Sequence, residues 1–173
     1  NWEIPVQRCK LAGFDVVYSA HIARYGSVPA MLQAASGTTV TLFVNWLDDT
    51  QLTAMHETEL SHGNYHYGRL DDIAVQLEGG DILASVHGYF SRRGHVTHDG
   101  DGVALASIFA ENRARPARDC GQMLAHVRNR VAPDHDLDNF ILGLIEDDRF
   151  RKDVIDNLMR DAKPFGVRYQ VVE

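Results

Sequence analysis

The chain has 173 residues, 45% hydrophobic and 24% charged, with 17 Lys+Arg against 24 Asp+Glu, a net charge of -7. That length fits one domain, and the composition is that of a soluble globular chain rather than a disordered or fibrous one. The acidic balance argues against a binder of nucleic-acid backbones, and no apolar run approaches the roughly 18 residues that a membrane helix needs.

Residues 14–18 (FDVVY) read as a short strand, entered from Gly13 and left at a turn-like Ser19-Ala20-His21. Residues 38–46 (TTVTLFVNW) are β-branched and aromatic and make the best strand of the chain, with Gly37 before it and Asp48 after it. A short helix follows to Glu59. Residues 68–77 and 82–90 flank Glu78-Gly79-Gly80-Asp81, a Gly-Gly hairpin signal. Residues 94–108 hold a further hairpin turning at 98–102, which would leave His95 and His98 in solvent. From Arg115 the hydrophobic period becomes helical: Cys120, Leu124, Val127 and Val131, then Leu137, Phe140, Ile141, Leu144 and Ile145, then Val154, Leu158 and Met159. Pro116, Pro133 and Pro164 sit where helices start or stop. Residues 116–163 therefore read as two or three helices packed on a β-rich body of residues 1–115. Residues 168–172 form a possible last strand, and the fold class is α+β.

The helix before residue 60 carries the chemistry. Asp48 is a good N-cap, Gln51 can complete a capping box, and Leu47 and Leu52 fall at the two positions of a hydrophobic staple. At about 100° per residue, Leu52, Met55, His56 and Glu59 share one face, while Glu57 points nearly the opposite way. A carboxylate among core-facing apolar residues costs free energy unless it is paired or protonated. Burial also raises its pKa toward the range where it both takes and gives a proton, which makes Glu59 a candidate general acid/base. The alternative is a structural Glu bonded to an Arg or to backbone amides.

The order of these parts resembles the gamma-glutamylcyclotransferase-like family over residues 14–90. A strand and polar loop (DVVYSAHIARYGS) come first, then a strand and a helix ending Met55-His56-Glu57-Thr58-Glu59. A Gly63-Asn64-Tyr65 turn follows, then two strands closing with Tyr89. The resemblance implies a small mixed β-barrel, here with a C-terminal helical segment that has no counterpart in the family. It implies Glu59 as acid/base for an intramolecular acyl transfer: the α-amine of a gamma-glutamyl group attacks its own γ-carbonyl, releasing an amine and 5-oxoproline. No metal or organic cofactor is required. The family holds its substrate on the backbone of a Tyr-Gly-Ser-Asn-like loop after the first strand. The aligned residues here are Tyr18-Ser19-Ala20-His21, without the Gly. Gly26-Ser27 lies a few residues later. The chain starts at Asn1 rather than Met, so a loop upstream of Asn1 is a further alternative.

Other constellations are weaker. Tyr65 and Tyr89 are candidate pocket residues, and Arg113 is a candidate clamp for a substrate carboxylate. Ser19 and His21 share one side of a strand end, but no third group orients them for nucleophilic catalysis. His56, Glu59, His62 and His66 would crowd together only if the helix ran past Gly63, and they do not match H-E-x-x-H. Cys9 and Cys120 fit no metal or redox spacing and suit a reducing compartment, the cytoplasm. Three functions follow: a cyclotransferase-like enzyme on a small amide-bearing metabolite, a non-catalytic ligand- or partner-binding module on the same scaffold, and a metal-dependent hydrolase. Nucleic acid and membrane are not expected partners, and the oligomeric state is open.

Overall fold

Residues 6–45 form one long hairpin in which strand β1 (Val6–Tyr18) runs antiparallel to β2 (Ala30–Asn45). The computed structural model describes residues 3–172; Asn1 lies outside them. The pairing slips between Ala12/Thr39 and Phe14/Ala34, and Gly13 and Gly37 on either side of the slip both take a left-handed φ, 83° and 81°. Glycine reaches that region without a Cβ penalty, which is how a bulge is built into a long strand pair. Before the slip, β1 alternates buried and exposed residues. After it, all five residues from Phe14 to Tyr18 are buried, because both faces of the strand are covered.

Helix α1 (Asp49–Glu59) follows, then strands β3 (Tyr65–Leu70), β4 (Val75–Leu77), β5 (Ile82–Leu83) and β6 (Val86–Ser91). The expected continuous strand over 68–77 is interrupted. Asp72 sits in the left-handed region at φ 56°, and Asp71 is held by Arg69 at 2.8 Å. The break sends the two halves to different sheets. β4 and β5 turn at the Gly-Gly pair and join the large sheet through β1, whereas β3 pairs with β6 in a separate sheet. Strands β7 (Thr97–His98) and β8 (Asp101–Gly102) form the expected hairpin at 98–102. Its central residues Asp99 and Gly100 have φ 52° and 81°, the geometry of a tight hairpin turn. β9 (Ala104–Leu105), β10 (Ala110–Glu111) and β11 (Ala117–Arg118) complete the large sheet, and β12 (Gln170–Val171) adds to β3.

The α+β class holds, with the helices late in the chain as their period indicated. No closed barrel is found among the described residues. The large sheet runs β10-β2-β1-β4-β5, with β9 on the other half of β1 and β11 on β9. The outer strands β10, β5 and β11 do not pair with one another, so the ladder stays open.

Helices α2 (Cys120–Val131), α3 (Leu137–Glu146) and α4 (Asp148–Met159) each begin at an aspartate whose side chain accepts from the first-turn amides. Met123, Val127, Phe140, Leu144 and Leu158 are completely buried, at 0% exposure, in one core with Leu11, Tyr18, Ile22 and Val96. Each large apolar side chain removed from water in this way stabilises the fold by about 1.5–3 kcal/mol. His95 belongs to this interior as well. It is only 2% exposed, and its backbone exchanges hydrogen bonds with Lys163, so the expectation of a solvated His95 is corrected. His98 is half-buried.

Gly94 makes that crossing possible. It has φ 76°, and a Cβ placed on it would lie 2.5 Å from the Lys163 carbonyl oxygen. Gly94→Ala is therefore expected to destabilise the protein by at least about 1–3 kcal/mol, read from the midpoint of urea unfolding.

Candidate functional site

Glu59 ends α1. The helix starts as its sequence dictates: Asp48 accepts from the Gln51 amide at 2.8 Å, and the Gln51 side chain accepts from the Asp48 amide at 2.9 Å. Leu52, Met55, His56 and Glu59 are half-buried and Glu57 is exposed, the face anticipated from the helical angle. Two strands stand opposite. Tyr65 and Tyr67 on β3 and His87 and Tyr89 on β6 fall on one face of the small sheet, because alternate residues of a strand share a side. The other face carries Phe90, stacked on Tyr169 with ring centroids 4.2 Å apart.

On the Glu59 side the aromatic groups interlock. His56 Nδ1 lies 2.8 Å from the Tyr89 hydroxyl, and the His56 ring meets Tyr67 edge-on at 4.5 Å. Tyr67 packs on Tyr89 and stacks on His87, both at 5.4 Å. Burial, and then the negative charge of Glu59, push the phenols of Tyr65 and Tyr89 up to about 12. Both hydroxyls therefore keep their protons at neutral pH; the direction of the Tyr89–His56 bond follows the His56 tautomer. Among the described residues, no Lys, Arg or His nitrogen forms an ion pair with Glu59.

A second chain of bonds runs from Arg93, just after β6, through Asn64 to His21. Arg93 Nε donates to Asn64 Oδ1 at 2.8 Å, which fixes the amide so that its nitrogen donates to His21 Nε2 at 3.1 Å. His21 Nε2 is then bare and the ring proton sits on Nδ1, which is buried without a partner among the described residues. Burial, followed by the charges of Arg93, Arg151 and His62, holds His21 down to about 4. The result is a neutral imidazole with one unengaged N–H donor.

His95 is likewise held down to about 4, by burial and then by Arg115 and Lys163. Both histidines have folded values below 6.5, so between pH 6.5 and 4 the unfolded chain binds protons that the folded one refuses. Their contribution to stability is complete above about pH 6.5 and is lost as the pH falls toward 4, at up to about 1.4 kcal/mol per pH unit for each. Urea midpoints at pH 7, 6 and 5 should fall in that order, and a flat series would contradict the assignment.

Several anticipated site residues are engaged elsewhere. The amides expected to cradle a substrate are all used internally: Tyr18 N–H donates to Val103, Ser19 N–H to Pro29, Ala20 N–H to Gly94 and His21 N–H to Ser19. Tyr18, Ser19 and Ala20 are at most 1% exposed. The Tyr18 hydroxyl donates to the Arg118 carbonyl at 2.8 Å, and Ser19 Oγ lies 2.8 Å from Ser91 Oγ, its partner in place of His21. Arg113 does not wait for a substrate carboxylate. Its Nε and Nη2 both bond the buried Asp15, at 2.9 and 2.8 Å, and Nη2 also donates to the Ile108 carbonyl. The tight bonding of β1 and the buried carboxylate of Asp15 consume groups that a single sequence presents as free.

Glu59, Tyr65, Tyr89 and, from the loop after β1, His21 remain as candidate site residues. The sequence reading missed Asn64 and Arg93 as the groups that orient His21. Asn64 lay in the Gly-Asn-Tyr turn already singled out, whereas nothing local marks Arg93. No group of three or more His, Cys, Asp or Glu side chains placed to hold a metal occurs among the described residues, and His56 Nδ1 is engaged by Tyr89. Among the described residues, no helix is long and apolar enough to cross a membrane.

No family model matches the chain, and no curated protein or solved structure matches it significantly.

Proposed function

We propose that the chain is a gamma-glutamylcyclotransferase-like enzyme acting on a small gamma-glutamyl or related amide metabolite, with Glu59 as its acid/base. The observation that carries this reading is a half-buried carboxylate with no ion-pair partner among the described residues, set against two protonated phenols. The hairpin, α1 and the β3–β6 pair also follow the order of parts that the resemblance implies. Glu59 takes a proton from the α-ammonium of the substrate, and the freed amine attacks the γ-carbonyl. The new ring amide C–N bond forms, the old amide C–N bond breaks, and Glu59 returns the proton to the leaving amine. Since the amides of residues 18–21 are committed elsewhere and His21 Nδ1 is itself buried, stabilisation of the developing oxyanion falls to the Tyr65 and Tyr89 hydroxyls, Tyr89 being available when His56 Nδ1–H donates to it. Cys9 and Cys120 are free thiols, in keeping with a cytoplasmic enzyme.

Release of 5-oxoproline from gamma-glutamyl dipeptides by the wild type, and its loss in Glu59→Gln, tests the proposal. A second reading, a non-catalytic module that binds such a ligand in the same place, draws support from the full internal bonding of the Tyr18–His21 amides. Ligand binding without turnover, unchanged in Glu59→Gln, selects it.

A further inference from the structure

A cleft of about 500 Å³ runs along α2, lined by Ala117, Arg118, Gln122, Ala125, His126 and Asn129. The helical members recur at three- and four-residue spacing and form one stripe. Their hydrogen-bonding roles are already decided. Gln122 Oε1 accepts from the Asp119 amide at 3.0 Å in the capping box that starts α2, which leaves its NH2 group as the free end. Asn129 Oδ1 accepts from Arg128 Nη2 at 2.6 Å, which again leaves the NH2 group free. Arg118 carries a guanidinium that pairs with no carboxylate among the described residues. Its backbone is anchored, since its carbonyl accepts from the Tyr18 hydroxyl at 2.8 Å and from the Ala106 amide at 2.9 Å. The cleft thus presents three donor groups, and the acceptor oxygens of Gln122 and Asn129 are taken.

The local charge points the same way. After burial, Arg118, His98 and Arg130 all act to keep His126 unprotonated, and Asp99 alone opposes them. The Asp119 carboxylate is turned to the start of the helix, where Oδ1 accepts from the Gln122 amide at 2.7 Å. His126 Nε2 is buried with no partner among the described residues. In a chain of net charge -7, diffuse attraction cannot collect anions here, so binding has to come from these local donors.

We propose that this cleft binds a small oxyanion group, the carboxylate or phosphate of a metabolite, gripped by Arg118 with the amides of Gln122 and Asn129 beside it. A guanidinium offers paired N–H donors that match either group, and charge-assisted bonds of this kind are the strong ones.

The test is titration of the labelled full chain with inorganic phosphate and, separately, with acetate at constant ionic strength, following the side-chain NH2 resonances of Gln122 and Asn129. Saturable shifts are expected with at least one anion: with phosphate alone if the site is built for phosphate, with both if it takes carboxylates. Gln122→Glu keeps a residue that completes the capping box, so α2 stays intact, but it puts a negative charge on the cleft. Affinity should fall about tenfold or more in Gln122→Glu and in Arg118→Gln, the loss expected when a charged hydrogen bond is removed or opposed. Should one variant misfold, the other decides. Absence of saturation with either anion, or wild-type affinity in the folded variants, overturns the proposal.

Discussion

Glu59→Gln should lower release of 5-oxoproline by about 10²–10⁴-fold, the range general acid–base catalysis supplies, and should leave the fold intact. Glutamine matches the shape and the hydrogen-bonding reach of glutamate but cannot carry the proton from one nitrogen to the other. The accompanying stability change has a useful sign. Glu59 is the last residue of α1, where the helix dipole places partial negative charge, and among the described residues it forms no ion pair. Neutralising it should leave the protein equally stable or more stable by about 0.3–1 kcal/mol. A functional carboxylate kept at a stability cost behaves in this way. A structural one, bonded to an arginine or to backbone amides, loses stability on the same change. Urea unfolding and the turnover assay on one sample therefore separate the two roles: unchanged turnover with lowered stability would sink the catalytic assignment.

Arg113→Ala should cost about 3–5 kcal/mol of stability, the largest effect of any single change considered. Asp15 is 1% exposed within β1, and its two oxygens take both arms of the Arg113 fork while Oδ1 also accepts from the Val16 amide. Removal of Arg113 leaves a buried carboxylate without its counter-charge, and the Ile108 carbonyl loses a donor. The pair as a whole need not be stabilising, because burying two ions is expensive. Replacing both at once, Asp15→Val with Arg113→Met, should recover most of the loss in urea unfolding. If Arg113→Ala instead left stability unchanged and weakened substrate binding, the arginine would be a clamp after all.

Much of the local structure was legible in the residues. The capping box of α1, the hairpin turns at 78–81 and 98–102 and the helical period after residue 115 all rest on interactions between near neighbours. The half-buried face of α1 was legible for the same reason, since a helix fixes which residues share a side. The orientation of His21 was not. It depends on Arg93 and Asn64, far apart in sequence and joined only when β6 lies beside the turn after α1. His95 was misread because a polar residue next to a turn is ordinarily solvated, whereas here it is bridged by the distant residues Ser19 and Lys163.

The sequence by itself determined where helices and turns begin, because capping, glycine conformations and hydrophobic period act over a few residues. It also singled out Glu59 as an acid on an inward face. Tertiary structure decided which polar groups were still free to do chemistry. Buried amides and charges must be satisfied, and their partners come from anywhere in the chain. That requirement engaged Arg113 and the amides of residues 18–21, and left the Tyr65 and Tyr89 hydroxyls beside the Glu59 charge.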